Sequence, residues 1–260
     1  MHHRTIEKLA SGTSPVHRLD ARVKIILVLA FVVAVSLLPP QPQLVFLAPA
    51  LLVLVALSRA RLPWGFVLGR VIMVLPFVLL VAAFLPFTRG QQVLWRAPGG
   101  WPVVFREGTL LALAVFVKGA LAVLAVGWLV FTTPFMQLLR ALRSLRLPRV
   151  IVATLSFLFR YLDLLADQSA RVRRARLARS PRLSGRAGWR AAGGSVGRLL
   201  QRALDRAERV YLAMLSRGYD GEIRVLARMQ LRPTDRLVLV VGVTVLTGVV
   251  LGGWWLGGRA

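Results

Sequence analysis

The stretch Thr109–Phe131, TLLALAVFVKGALAVLAVGWLVF, decides the fold, because it is long, apolar and interrupted by one charged side chain, Lys118. An α-helix needs about 20 mainly apolar residues to cross the hydrocarbon core of a bilayer, which is roughly 30 Å thick. The stretch reaches that length, and it therefore predicts a membrane-spanning helix.

Four further apolar blocks predict four more membrane helices. These blocks are Val23–Leu38, Leu44–Leu57, Val71–Phe87 and Leu237–Leu256. The chain is 57% hydrophobic, whereas a soluble domain has about 45–50% apolar residues. The additional apolar residues lie in these blocks. Prolines separate the first two blocks, which predicts a hairpin of short spans. Thr88–Gly108 predicts a polar loop whose Trp95 and Trp101 lie at the membrane interface.

Basic residues are concentrated between the fourth and fifth blocks. Of the 35 Lys and Arg residues, 22 lie in 132–236, and the formal net charge is +25. Basic segments of membrane proteins stay on the cytoplasmic side. The predicted domains are therefore a four-span membrane region, 1–131, a cytoplasmic domain, 132–236, and a C-terminal membrane helix, 237–260. The expected fold class is an all-α membrane protein with about five transmembrane helices and a helical cytoplasmic domain.

The cytoplasmic segment is expected to contain three helices. They are a short helix from Thr133-Pro134 to about Arg146, a helix over Arg149–Arg179 and, after a loop over Gly185–Gly197, an amphipathic helix over Val196–Ser216. Apolar residues recur in the last helix with a period near 3.6, which is typical of a helix with one covered face. Gly218 is expected to end that helix.

Two short motifs place an arginine between small residues at a predicted helix C-terminus. They are Ala178-Arg179-Ser180 and Ser216-Arg217-Gly218. One interpretation is a cation that complements the helix dipole, as in many proteins. The other is a contact site, in which small neighbours let a partner approach and the guanidinium binds a carboxylate through two hydrogen bonds. The same arrangement occurring twice in one basic domain favours the contact site.

Lys118 is the one charge deep inside an apolar block. A charge within a membrane is costly, so the first hypothesis is a functional or paired residue. The alternative is that the side chain extends toward one side of the span and reaches polar groups. The sequence does not choose between these two roles.

The sequence has no recognisable catalytic constellation. It contains no cysteine, no GxxxxGK[ST] phosphate loop and no credible Ser–His–Asp grouping. His2 and His3 lie at the amino terminus, where imidazole and amine nitrogens suit Ni²⁺ or Cu²⁺. We expect a disordered terminus there instead. The expectation is a non-enzyme with no metal site and no cofactor of its own.

Four segments outside the spans resemble the transmembrane (T) component of energy-coupling factor (ECF) transporters, most closely the cobalt/nickel (CbiQ-type) family. They read SPVHRLDARVKI at 14–25, TTPFMQLLRALRSLRLPR at 132–149, FRYLDLLADQSARVRRARLARS at 159–180 and RALDRAERVYLAMLSRGYDG at 202–221. The last segment is the most specific of the four. Together they cover most of the chain outside the predicted spans.

The resemblance implies a multi-pass coupling subunit in the inner membrane of a bacterium. In that family the T component joins a substrate-binding membrane (S) subunit to two ATP-binding-cassette ATPases, which bind ATP and Mg²⁺. Each of two arginine signatures ends a coupling helix that docks on one ATPase, which assigns ATPase coupling to the two motifs above. The first motif ends in Ser180 where the family more commonly has glycine. The implied substrate is cobalt or nickel, and the alternative is a vitamin.

Two other classes of protein fit the sequence less well. A membrane-tethered nucleic-acid-binding protein would use the same arginines, but it would also interleave stacking aromatic side chains with them, and few lie there. A free-standing secondary carrier would have interrupted helices and polar residues at the membrane midplane. The expected partners are therefore the ATPases, the S subunit and the lipid bilayer, without nucleic acid.

Overall fold

The computed structural model describes residues 12, 14, 16–40, 43–60, 64–88, 93–96, 103–179, 185–221 and 231–257. The helices in these ranges are α1 (Ala21–Leu37), α2 (Leu47–Ala60), α3 (Trp64–Thr88), α4 (Arg106–Thr132), α5 (Phe135–Ser144), α6 (Arg149–Arg179), α7 (Gly185–Leu215) and α8 (Pro233–Gly257). The all-α fold is thereby confirmed. A 3₁₀ turn, Gln43–Phe46, precedes α2.

All five apolar blocks form helices. Two of them, α4 and α8, have 27 and 25 residues and are long and apolar enough to cross a membrane. At a rise of 1.5 Å per residue they measure about 40 Å and 38 Å. The apolar stretches Leu44–Ala60 and Val71–Phe87 are shorter, and α1 has 17 residues, which is the lower limit for a spanning helix.

The membrane helices expose their apolar side chains, which is the reverse of a soluble protein. Only 17% of the most apolar window of α4 and 11% of that of α8 are buried. On the surface, Phe77 is 75% exposed, Leu251 66% and Leu237 65%. Lipid tails solvate such a surface without the cost that water would impose. The distribution therefore supports a bilayer environment for this part of the chain.

The chain divides into two compact units. The first comprises Met1–Ala141 and Met229–Ala260, and the second is Leu142–Arg228. These units are defined by packing within the chain. The domains expected from the sequence are defined by which segments lie in lipid and which lie in water, so the two sets of boundaries describe different properties. The expected boundaries, and the side of the membrane assigned to each segment, stay predictions.

The first unit has a core in which α1, α2, α4 and α8 meet. Buried members of this core include Val35 from α1, Leu57 from α2, Trp128 from α4 and Leu246 from α8. The Trp128 indole donates a hydrogen bond of 3.0 Å to the Ala56 carbonyl. This bond ties α4 to α2 and satisfies a polar group that burial would otherwise penalise.

Small residues let α8 approach the other helices closely. A Cβ added at Gly242 would collide with Leu27 of α1. A Cβ added at Gly253 would lie 2.8 Å from Val45 and 2.5 Å from Leu38. Membrane helices commonly pack through small residues because dispersion contacts replace the hydrophobic effect there.

The connection between α3 and α4 contains a β-ribbon where the sequence predicted a polar loop. Val93–Arg96 pairs antiparallel with Val103–Phe105. Valine and aromatic residues favour paired strands. Trp95 lies in the first strand, and Trp101 lies outside the described residues.

The second unit contains α6 and α7, each 31 residues long. The loop predicted over Gly185–Gly197 is wrong, because these residues form the first turns of α7. Glycine disfavours a helix by about 1 kcal/mol relative to alanine. Alanine and arginine, which are strong helix formers, occupy five positions between Gly185 and Gly193, and they offset the low propensity of the glycines.

A short helix, α5, lies between α4 and α6 in sequence. Its start follows the predicted Thr133-Pro134 dipeptide, and the Pro134 carbonyl accepts hydrogen bonds from Gln137 and Leu138. Its end is a left-handed turn at Arg146, with φ of 71°. A residue other than glycine in that conformation costs roughly 1 kcal/mol, so the ending is less stable than a glycine turn.

Candidate functional site

The first arginine motif lies at the end of α6. Arg179 is the last residue of the helix, and both Ala178 and Arg179 are exposed. Ser180 lies outside the described residues. The guanidinium complements the negative end of the helix dipole, and its exposure leaves it accessible to a partner.

The second motif forms the C-terminal cap of α7. Gly218 has φ of 78°, its N–H donates to the Leu215 carbonyl at 2.9 Å, and the Tyr219 N–H donates to the Met214 carbonyl at 3.0 Å. This pair of hydrogen bonds around a left-handed glycine is the Schellman motif. The predicted helix end at Gly218 is confirmed. Because the cap fixes the backbone, Arg217 is presented, exposed, from a rigid position.

The two motif arginines lie at opposite ends of an antiparallel helix pair. Arg179 lines the same cavity as Ala191 in the first half of α7, whereas Arg217 follows the last turn of α7. At 1.5 Å per residue, the separation along α7 is on the order of 40 Å. A single compact binding surface does not reach both arginines, so the arrangement suits two separate contacts.

The cleft between α6 and α7 has two ends of different character. The basic end has a volume of about 740 Å³ and includes five arginines: Arg171, Arg176, Arg179, Arg198 and Arg202. The apolar end has a volume of about 300 Å³ and includes Phe157, Leu164, Val210 and Met214. Gln168 lines both ends. The predicted apolar stripe of α7 is thus only partly covered by α6.

Apolar residues of the second unit also remain exposed outside this cleft. Val150 of α6 is 75% exposed, and Val196 and Leu204 of α7 are 64% and 60% exposed. Exposed apolar surface of this extent marks a site of contact with another protein or with a membrane. The unit therefore presents both basic and apolar contact surfaces.

Lys118 points toward the end of α1. Its amine donates to the Ser36 carbonyl at 3.0 Å and to the Leu38 carbonyl at 2.6 Å. The Trp254 indole donates to the intervening Leu37 carbonyl at 3.2 Å. The last carbonyls of a helix have no partner within the helix, and such groups are costly in lipid. Lys118 and Trp254 therefore satisfy the exposed backbone where prolines end α1.

A second buried polar cluster lies at the other end of α1, and the sequence did not single it out. Lys24 is fully buried, and its amine donates to the Thr132 carbonyl at 2.9 Å and to the Thr133 hydroxyl at 3.4 Å. The carboxylates of Asp20 and Asp235 are close enough to interact with its charge. The cluster joins the start of α1, the end of α4 and the start of α8.

The two aspartates of this cluster also organise helix ends. Asp20 caps α1 by accepting a hydrogen bond of 2.9 Å from the Arg22 N–H. Asp235, only 2% exposed, accepts from the Arg232 N–H at 3.0 Å and from the Asp20 N–H at 3.5 Å. The sequence does carry a signal for Lys24. This residue is a charged side chain at the start of the apolar block Val23–Leu38.

Clusters of metal ligands are absent from the described ranges. Among those residues, no group of three or more His, Asp or Glu side chains is placed to hold a metal ion. His2 and His3 lie outside them. The described part of the chain presents exposed contact surfaces, among them Arg179 at the end of α6 and Arg217 beside the capped end of α7.

Comparisons with known proteins match most of the chain to one family of transport proteins. The profile of a family described as cobalt transport protein, CbiQ, matches residues 12–227. The cobalt transport protein CbiQ of Rhodobacter capsulatus is 29% identical over 231 residues, which cover 88% of this chain and 90% of that protein. The energy-coupling factor transporter transmembrane protein EcfT of Exiguobacterium sibiricum is also 29% identical, over 94% and 97% of the two chains. The CbiQ protein of Salmonella typhimurium is 27% identical, over 78% and 91%.

Proposed function

The chain belongs to the CbiQ family of cobalt transport proteins, and from that premise we propose that it couples ATP hydrolysis to substrate uptake. It is a transmembrane component of a transporter. In the proposed complex, two ATP-binding-cassette ATPases bind ATP and Mg²⁺ and contact the basic domain on the cytoplasmic side of a bacterial inner membrane. A separate membrane subunit binds the substrate, and the chain itself catalyses no reaction.

The placement of Arg179 and Arg217 is the observation that carries this proposal. Both are exposed at helix ends, and they lie at opposite ends of the α6–α7 pair. One arginine for each ATPase fits this separation. A guanidinium binds a carboxylate through two parallel hydrogen bonds, so each contact would fix orientation as well as position.

The length of α6 and α7 explains how movement of the ATPases can be transmitted over a distance. Each helix has 31 residues, which corresponds to about 46 Å. When ATP binding changes the spacing of the two ATPases, the attached helix ends move with them. Packed helices deform little, so the movement reaches the exposed apolar faces of α6 and α7. Those faces provide the contact with the substrate-binding subunit.

Cobalt or nickel is the proposed substrate, because the family profile and two of the relatives above carry the name cobalt transport protein. A vitamin is the second candidate. Its support is that the relatives named energy-coupling factor transporter transmembrane protein carry no metal in their names, and one of them has the same 29% identity as the cobalt protein of Rhodobacter capsulatus. In either case the separate membrane subunit selects the substrate.

Co-purification with the ATPases tests the proposal. Arg179→Ala and Arg217→Ala are compared with Arg173→Ala and Arg209→Ala, which remove the same charge from exposed positions on the same two helices. We expect each motif variant to weaken ATPase association at least tenfold, which corresponds to the loss of one charge-assisted contact of about 1.5–3 kcal/mol. The control variants should retain the ATPases.

Uptake measured in the same strains completes the test. The double motif variant is expected to lose ATP-dependent uptake while its amount in the membrane stays normal. Comparing cobalt, nickel and vitamin uptake in the wild type identifies the substrate class. Unchanged ATPase association and unchanged uptake in the double variant would overturn the proposed coupling role of the motifs.

A further inference from the structure

The cleft between α6 and α7 is amphipathic along its length. Five arginines surround its basic end, and aromatic and aliphatic side chains surround its apolar end. Gln168 lines both, so the two ends are adjacent along the helix pair. A ligand that fills the cleft must therefore carry an anionic group at one end and hydrocarbon at the other.

The basic end has the chemistry of a phosphate site. No acidic residue is among the described residues that line it, so the positive charges are not neutralised within the cavity. Guanidinium groups bind phosphate oxygens through paired hydrogen bonds. The small residues Ala175, Ala191 and Gly194 form part of the wall, which leaves room for a headgroup between the two helices.

The apolar end matches a hydrocarbon chain. Phe157, Leu164 and Met214 line it, and its volume is about 300 Å³. Burying one methylene group contributes about 0.8 kcal/mol. A free phosphate ion would leave this end of the cleft unfilled.

We infer that the α6–α7 cleft binds an anionic phospholipid, with its phosphate among the arginines and an acyl chain along the apolar end. The bilayer supplies this ligand at high local concentration, because the second unit is connected in sequence to the membrane helices α4 and α8. Basic pockets on the cytoplasmic side of membrane proteins bind anionic headgroups for the same reason. The cleft shares Arg179 with the ATPase contact proposed above, whereas its other four arginines lie outside the two arginine motifs.

Native mass spectrometry of the full chain in a nonionic detergent tests the inference. Phosphatidylglycerol and phosphatidylcholine with the same acyl chains are added separately, and glycerol phosphate and inorganic phosphate provide the anion without hydrocarbon. We expect phosphatidylglycerol to bind at least tenfold more tightly than each of the other three ligands.

A pair of matched variants locates the site. Arg171→Gln/Arg198→Gln removes one arginine of the cleft from each helix. Arg173→Gln/Arg190→Gln removes one exposed arginine outside the cleft from each helix. Each basic residue at an anionic membrane surface contributes roughly fivefold, so the cleft variant should bind phosphatidylglycerol about thirtyfold more weakly. The control variant should stay within about threefold of the wild type.

Three outcomes would overturn the inference. Equal losses in the two variants would show that general surface charge holds the lipid. Equal binding of phosphatidylcholine, or of inorganic phosphate, would remove the need for an anionic amphiphile. Complete displacement of the lipid when the ATPases are added would identify an acidic protein surface as the occupant. Circular dichroism of both variants checks that α6 and α7 still form.

Discussion

Replacing Lys24 by methionine is expected to destabilise the first unit strongly. Lys24 is fully buried and makes two hydrogen bonds to the end of α4. Removing one partner from a buried charged group costs about 3–5 kcal/mol, because the remaining charge stays buried without compensation. Here Asp235, 2% exposed, would lose its neighbouring cation. Methionine has a similar length, so a cavity contributes little to the cost.

Thermal unfolding of the full chain in detergent measures this effect. For a unit of this size, 3–5 kcal/mol corresponds to a fall in the melting temperature on the order of 10 °C. Arg18→Met is the control, since Arg18 lies in the same segment and is exposed. Its melting temperature should fall by no more than about 2 °C, as is usual for surface substitutions.

The double variant Lys24→Met/Asp235→Asn separates the charge effect from simple loss of packing. The neutral amide removes the uncompensated charge, so we expect the double variant to be more stable than Lys24→Met alone. Two results would refute the reasoning. One is a melting temperature of Lys24→Met within 2 °C of the wild type. The other is a double variant whose fall in melting temperature equals the sum of the falls caused by the two substitutions separately.

Three smaller predictions follow from other contacts. Gly253→Val should destabilise the chain by about 1–3 kcal/mol through overpacking against α1, whereas Gly252→Val, with no atom within 4 Å of the added Cβ, should change little in the same melting assay. Gly218→Ala should cost about 1 kcal/mol, because φ is 78° and alanine resists that conformation; an unchanged melting temperature would contradict this. Lys118→Met should lower stability by about 2 kcal/mol through two lost hydrogen bonds, while uptake per assembled complex stays normal; normal stability with lost uptake would indicate a functional charge instead.

The membrane helices could be predicted because few backbone conformations are stable in lipid. Every backbone polar group must be satisfied inside the segment that crosses the hydrocarbon, so long apolar blocks such as Thr109–Phe131 form helices. Helix ends that carry a signal in the local sequence could also be predicted. Gly218 and the Thr133-Pro134 dipeptide carry such signals within a few residues of the helix end, and no distant contact is needed to interpret them.

Features that depend on distant contacts could not be predicted. Gly185–Gly197 contains several glycines, which disfavour a helix locally, and the segment is nevertheless helical. Lys24 and Asp235 are far apart in sequence, so nothing local indicates that they lie in one cluster. The role of Lys118 was open for the same reason, since its partners belong to the end of α1.

Site-specific photo-crosslinking in the assembled transporter tests whether the two motif arginines contact the ATPases. A photoreactive amino acid is placed at Arg179 or Arg217, and at the exposed control positions Arg173 and Arg209. The account predicts that positions 179 and 217 crosslink efficiently to the ATPases and that the controls crosslink weakly or not at all. Strong crosslinks to the ATPases from the controls alone, with none from either helix end, would contradict it.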